Sequence, residues 1–272
     1  MKRLRVNGHD MAYLDIGEGA PLVCVHGSLC DFRTWGPVLG PLSRRHRLIV
    51  PSLRRFFPEA WDGVGPGFTI AEHTADMIAF IERLDLGRVD LMGHSRGGHI
   101  SFRIAQQRPE LLRRAVLAEP GGDLDESFTA AGGSPSTHAP LRAHVAAAAE
   151  KIRAGDVEGG LASFLDAIEG PGAWQRLAAG ARRQFRDNAL TLLGQVNEQR
   201  PPYGRAEAEA IRVPTLLIGG TETQGSLPQV LRGLAAHIPG ARVAMIPAAT
   251  HMMFEQDPER FCAAVLDFLD AR

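Results

Sequence analysis

Six short apolar runs constrain the fold of this chain more than any other feature of it. They are "PLVCVHG" (21–27), "HRLIVPSL" (46–53), "RVDLMGHS" (88–95), "RRAVLAEP" (113–120), "RVPTLLIGG" (212–220) and "ARVAMIP" (241–247). Each reads as a strand, and the unbroken run at 21–27 has the pattern of a strand buried on both faces. Helical spacing fills the intervals. In "TIAEHTADMIAFIERLDL" (69–86), Ile70, Met77, Ile78, Ile81 and Leu84 fall on one helix face. "WGPVLGPLSRR", "GGHISFRIAQQRP", a stretch near 226–238 and another near 256–270 read as further helices. Strands that alternate with helices predict a mostly parallel sheet with helices on both sides. Residues 1–17 alternate polar and apolar around "VNGHD" and add an antiparallel hairpin turning at Asn7-Gly8. The expected sheet therefore has eight strands.

The rhythm breaks after Glu119-Pro120. From Gly121 to about Ala210 no strand is evident. A Gly/Ser/Pro-rich connection, "GGDLDESFTAAGGSPSTHAP", leads into alanine-rich helical segments. The expected organisation is a core of 1–120 and 211–272, with 121–210 inserted as a helical cap. At 272 residues with a formal net charge of −1, the chain offers no basic footprint for nucleic acid and no polybasic membrane patch. No stretch approaches the ~20 apolar residues of a membrane helix. "MKRLRVNGHDMAYLDIG" has early cations but no following apolar run, so a secretory signal is not expected. Cys24, Cys30 and Cys262 are few, odd in number and without metal-ligand spacing, which favours free thiols in a cytoplasmic protein. The sequence leaves the oligomeric state open, a homodimer included.

"LMGHSRGG" holds Gly93-His94-Ser95-Arg96-Gly97, a G-x-S-x-G between a strand and a helix. That context suits a sharp elbow, in which flanking glycines leave room and the central serine projects at a helix N-terminus. The helix dipole there favours developing negative charge. Ser95 is the candidate nucleophile.

With "HG" after the third strand, this elbow after the fifth, a helical insertion after the sixth and a histidine after the eighth, the chain resembles the α/β-hydrolase superfamily over nearly its whole length. The resemblance implies that fold, a cap over the site and no cofactor. It places the catalytic base at His251 in "IPAATHMMFEQDP". It also implies an oxyanion hole made by the backbone N–H groups of Ser28 and Arg96. His94 and His26 are expected to pack or to brace backbone. His9, His46, His73, His99, His138, His144 and His237 have no motif support. The Arg96 side chain is expected to pair with an acid such as Asp31.

The acid of the relay is the open point, because Thr223 stands where relatives carry aspartate in "PTLLIGGTETQGS". A hydroxyl can orient an imidazole but cannot balance its charge. Glu119, at the end of the sixth strand, is the first choice, and some relatives place their acid there. Glu222 and Asp123 are the alternatives, and the competing role for Glu119 is to cap a turn or pair with Arg114.

A serine nucleophile argues against an alkyl-ester mechanism, which needs a carboxylate at the elbow. The leading expectation is hydrolysis of a small carboxylic ester, lactone or thioester through an acyl-enzyme. A carbon–carbon bond hydrolase of ring-cleavage products, with Arg182, Arg183 or Arg186 facing a dienoate, is one alternative. A hydrolase-like receptor for a small ligand is another. Where relatives show Asp-x-x-Gly after the fourth strand, this chain has Ser52 and Arg55 in "PSLRRFFPEAW". Phe56, Phe57 and Trp61 either line an acyl pocket or, the favoured reading, pack beneath the cap.

Overall fold

The N-terminal hairpin forms as read, with β1 (Lys2–Val6) antiparallel to β2 (His9–Ile16) across Asn7-Gly8. The apolar runs become β3 (Ala20–Val25), β4 (His46–Pro51), β5 (Val89–His94), β6 (Leu112–Ala118), β7 (Thr215–Gly220) and β8 (Arg242–Ile246). All eight join one sheet in the order β1-β2-β4-β3-β5-β6-β7-β8. β2 meets β4 antiparallel, and every pairing from β4 to β8 is parallel. The computed structural model describes residues 1–129 and 139–271. His138 and part of the Gly/Ser/Pro-rich connection lie outside the described residues.

The runs are uniformly apolar because both sheet faces are covered. Along β3, Val23 and Val25 enter one core, while Leu22 and Cys24 enter the other. The second core takes Val38 and Leu42 of α1 (Gly36–Ser43). The first takes Met77, Phe80 and Ile81 of α2 (Ile70–Leu84) and Ile100 and Ile104 of α3 (Arg96–Gln107). Thr69 caps α2 by accepting from the Glu72 N–H at 3.0 Å, which starts the helix one residue after the threonine.

The insertion carries α4 (Ala139–Arg153), α5 (Val157–Glu169), α6 (Ala173–Arg176), α7 (Ala179–Asp187), α8 (Thr191–Asn197) and α9 (Arg205–Glu209). Among its described residues there is no strand, only an isolated bridge between Leu124 and Tyr203. Side chains of α4 through α8 form a third apolar cluster with Leu29 and Cys30 from the loop after β3. The ends of the insertion behave differently, since Leu124, Tyr203 and Ala208 belong to the first core. Among the described residues, the insertion's members of the third cluster run from Val145 to Val196.

The chain returns through α10 (Leu227–His237) and closes with α11 (Met253–Gln256) and α12 (Pro258–Leu269). All three cysteines are free and buried. No helix among the described residues is long and apolar enough to cross a membrane.

Candidate active site

Ser95 sits between the last residue of β5 and the first of α3, with φ 52° and ψ −113°. An L-residue held there costs about 1–3 kcal/mol, so its surroundings must over-determine the turn. They do. The Ser95 N–H donates to the Ala118 carbonyl at 3.0 Å, and its own carbonyl accepts from Gly121 at 2.9 Å and His99 at 3.1 Å. The turn is also too tight for a side chain at Gly97, whose Cβ would lie 2.1 Å from the Val25 carbonyl oxygen.

Glu119 follows β6 and is itself strained, at φ 39°. Its Oε2 lies 2.7 Å from His251 Nδ1, and its Oε1 accepts from the Gly220 N–H at 2.9 Å. Both residues are buried, at 1% and 4% exposure. A carboxylate at Nδ1 holds the proton on that nitrogen and leaves Nε2 with the lone pair. The Gly219-Gly220 pair at the end of β7 makes this crossing from the neighbouring strand feasible. A Cβ on Gly219 would lie 2.9 Å from Glu119 Oε1 and 2.8 Å from Leu231 Cδ1.

The other acids go elsewhere. Glu222 is exposed, its N–H donates to the Ala249 carbonyl at 2.8 Å, and its carboxylate accepts from Thr221 Oγ1 at 3.2 Å. Asp123 ion-pairs with Arg142. Thr223 is buried with its hydroxyl lacking a hydrogen-bond partner. Arg114, weighed as a partner for Glu119, donates instead to the Ala271 carbonyl.

His26 and His94 brace the site. His26 Nδ1 donates to the Gly27 carbonyl at 2.8 Å, while its Nε2 accepts from the Leu53 N–H at 3.0 Å. Burial lowers its pKa to about 4, so it serves as a neutral strut between the loops after β3 and β4. His94 Nε2 donates to the His251 carbonyl at 2.9 Å, with the two rings 4.3 Å apart. Burial and the neighbouring His251 hold the His94 ring well below the ordinary histidine range. Ser28 lies in the turn after Gly27. Arg96 opens α3, where first-turn N–H groups have no partner within the helix.

The Arg96 side chain departs from expectation. It is fully buried and grips Glu198, with Nη1–Oε2 at 2.6 Å and Nη2–Oε1 at 2.9 Å. Its Nε donates to His73 Nδ1 at 3.2 Å, and the guanidinium stacks 4.4 Å above the Phe68 ring. Asp31 is already taken by Arg33 and by Asn188, the latter at 2.7 Å. Burial raises the Glu198 pKa, but Arg96 and Arg200 outweigh it and hold the carboxyl below the usual range. His73 and His99, which carry no sequence motif, are both buried in this neighbourhood. His99 Nδ1 donates to the Gly121 carbonyl at 2.9 Å, behind the elbow.

A cavity of about 60 Å³ joins Ser95 and His251 to Ser28, Gly121, Phe164 and Leu165. Ile168, Glu169, Gln195, Arg200, Leu227 and Met252 complete much of its wall. Phe56, Phe57 and Trp61 do not line it. Phe56 packs against His26 at 4.8 Å and Trp61 stacks on Phe68 at 5.4 Å, in keeping with the packing reading. The cap cations do not line it either: Arg186 pairs with Glu158, Arg182 donates to the Gln175 carbonyl, and Arg183 is exposed. The wall residues from the insertion, Arg200 above all, carried no signal in the sequence. Which face of each cap helix turns inward depends on tertiary packing.

Glu169 binds Thr250 Oγ1 next to His251, and its other oxygen is buried without a partner. Burial and the Glu169 charge raise the Glu255 pKa to about 7. The fold therefore holds a proton that the unfolded chain releases from about pH 4.3 upward. The stability this provides is full below that value and is lost as pH rises through about 7. Glu255→Gln should remove the dependence, narrowing the fall in Tm from pH 5 to pH 8 by roughly 5 °C relative to the parent. Parallel Tm–pH curves for the two proteins would contradict this.

The comparisons agree with the geometry on the class of protein. A family model described as "Alpha/beta hydrolase family" matches residues 22–264, and the chain belongs to that family. The chain is 27% identical over 281 residues to 2-hydroxymuconate semialdehyde hydrolase of Pseudomonas sp. strain CF600, covering 98% of this chain and 90% of that protein. It is 26% identical over 276 residues to haloalkane dehalogenase 2 of Mycobacterium tuberculosis strain H37Rv, covering 94% and 90%. The crystal structure of an enol-lactonase from Burkholderia xenovorans LB400 superposes with a TM-score of 0.78 at 24% identity, covering 99% of this chain and all of that one. That likeness establishes the fold.

Proposed function

We propose that this protein hydrolyses a small carboxylic ester, lactone or thioester through an acyl-enzyme on Ser95. The observation that carries this reading is the buried Glu119–His251 pair, 2.7 Å apart, whose histidine lines the same cavity as the strained Ser95. Ser95 Oγ attacks the substrate carbonyl while His251 Nε2 takes its proton. Glu119 stabilises the imidazolium that results. The N–H groups of Ser28 and Arg96 hold the oxyanion, with the α3 dipole adding to the field. Collapse of the tetrahedral intermediate breaks the bond to the leaving group, which His251 protonates. Water, deprotonated by His251, then attacks the acyl-enzyme and restores Ser95.

None of these steps calls on a cofactor, and the partner implied is the small-molecule substrate. Serine at the elbow separates this reading from dehalogenation, which proceeds through a carboxylate nucleophile. Three buried free thiols fit a reducing cytoplasm.

A panel of short aryl esters, aliphatic lactones, thioesters and a vinylogous 1,5-diketone tests the proposal, with Ser95→Ala as control. The expected result is turnover of at least one acyl substrate, and a loss of about 10⁴-fold or more in Ser95→Ala. Turnover of the diketone alone would favour the carbon–carbon hydrolase. Tight ligand binding with no turnover would favour the receptor.

A further inference from the structure

We propose that Arg200 determines specificity by binding an anionic group, so that the substrate is an ester or lactone carrying a free carboxylate. The inference rests on the acyl-hydrolase reading and deepens it. Arg200 leaves the insertion just after α8 and lines the same cavity as Ser95 and His251. A Cβ built on Gly121 would lie 3.5 Å from Arg200 Nη1 and 3.5 Å from Ser95 Oγ. The guanidinium and the nucleophile thus flank one glycine, within a small substrate's length of each other.

Charge around Arg200 leaves this cation incompletely matched. Glu198 is its closest carboxylate contact, at 3.3 Å. Both Glu198 oxygens already accept from Arg96 at 2.6 and 2.9 Å, in the bidentate geometry that satisfies a guanidinium best. Two arginines therefore share one buried carboxylate. Asp123, in a pocket adjoining Arg200, is paired with Arg142. His99 is held neutral by burial and by the nearby Arg200 and Arg103, so it adds no charge. A substrate carboxylate would supply the missing counter-charge, and a planar guanidinium offers it two parallel N–H donors.

Glu169 adds a second charge to the same pocket. It is tied to Thr250 beside His251, and its second carboxylate oxygen is buried with no hydrogen-bond partner. It repels an anion at the histidine-loop end and directs the substrate's charged group toward Arg200. Much of the remaining wall is apolar, with Phe164, Leu165, Ile168 and Phe185. A short hydrocarbon spacer between the reacting carbonyl and the free carboxylate suits that lining.

The test compares p-nitrophenyl hydrogen adipate with its methyl ester, a pair of nearly equal shape that differs by one charge. The parent protein should favour the anionic ester in kcat/KM by at least about tenfold, and Arg200→Met should lower that preference at least tenfold. Arg200→Lys should retain part of it. Equal loss on both esters in Arg200→Met, with the preference intact, would overturn the proposal. A readout that needs no turnover separates this failure from failure of the acyl-hydrolase reading. Adipate binding to Ser95→Ala, measured by calorimetry, should weaken at least tenfold when Arg200→Met is added. Unchanged adipate affinity would overturn the role of Arg200 even in a protein that hydrolyses neither ester.

Discussion

Glu119→Gln should lower kcat by about three to four orders of magnitude while leaving Tm within a few degrees of the parent. Glutamine keeps the shape and can still meet Gly220 N–H through its carbonyl oxygen. Its amide, however, faces His251 Nδ1 with a donor and forces the imidazole toward the tautomer that cannot take a proton from Ser95. The charge that balances the imidazolium is lost as well. Glu222→Gln, on an exposed side chain bonded to Thr221, should change kcat by less than about threefold. The reverse pattern, with Glu119→Gln active and Glu222→Gln disabled, would move the relay acid to the loop after β7.

The second large effect concerns stability. Arg96→Met leaves Glu198 buried with only the longer Arg200 contact, and leaves His73 Nδ1 without its donor. Breaking a buried ion pair from one side costs about 3–5 kcal/mol, so a Tm drop of roughly 10 °C is expected. The double variant Arg96→Met/Glu198→Leu should recover a large part of that loss, because no charge remains stranded. A loss below about 1 kcal/mol in the single variant, measured by urea unfolding, would show that the pair does not tie the insertion to the elbow.

The sheet and its flanking helices were legible because two-sided burial writes itself as unbroken apolar runs, as at Leu22–Val25 and Leu216–Ile218. The elbow was legible because only glycine fits at Gly97. The carboxylate that meets His251 was legible as a choice among three. What favoured Glu119 was its position at the carboxyl end of β6, together with the relatives that place their acid there. The local backbone also explains why Glu222 turns outward: its N–H is anchored to the Ala249 carbonyl.

The Arg96 partner was not legible. Glu198 lies far along the chain, and nothing local distinguishes it from Asp31, which lies in the loop after β3. The wall of the cavity was hidden for a related reason. Helices α5 to α8 present Phe164, Ile168, Phe185 and Gln195 inward only once their packing against Leu29 and Cys30 sets their rotation. Arg200 lies beyond the last of these helices, where helical periodicity has no say.

The central claim, that Ser95 is a nucleophile activated by the Glu119–His251 pair, is tested most directly by labelling with a fluorophosphonate and mapping the adduct by mass spectrometry. The account predicts one adduct per chain, on the peptide containing Ser95. Labelling should slow by at least about a hundredfold in His251→Ala and in Glu119→Gln. An unlabelled parent protein, an adduct on another residue, or labelling at the parent rate in both variants would contradict it.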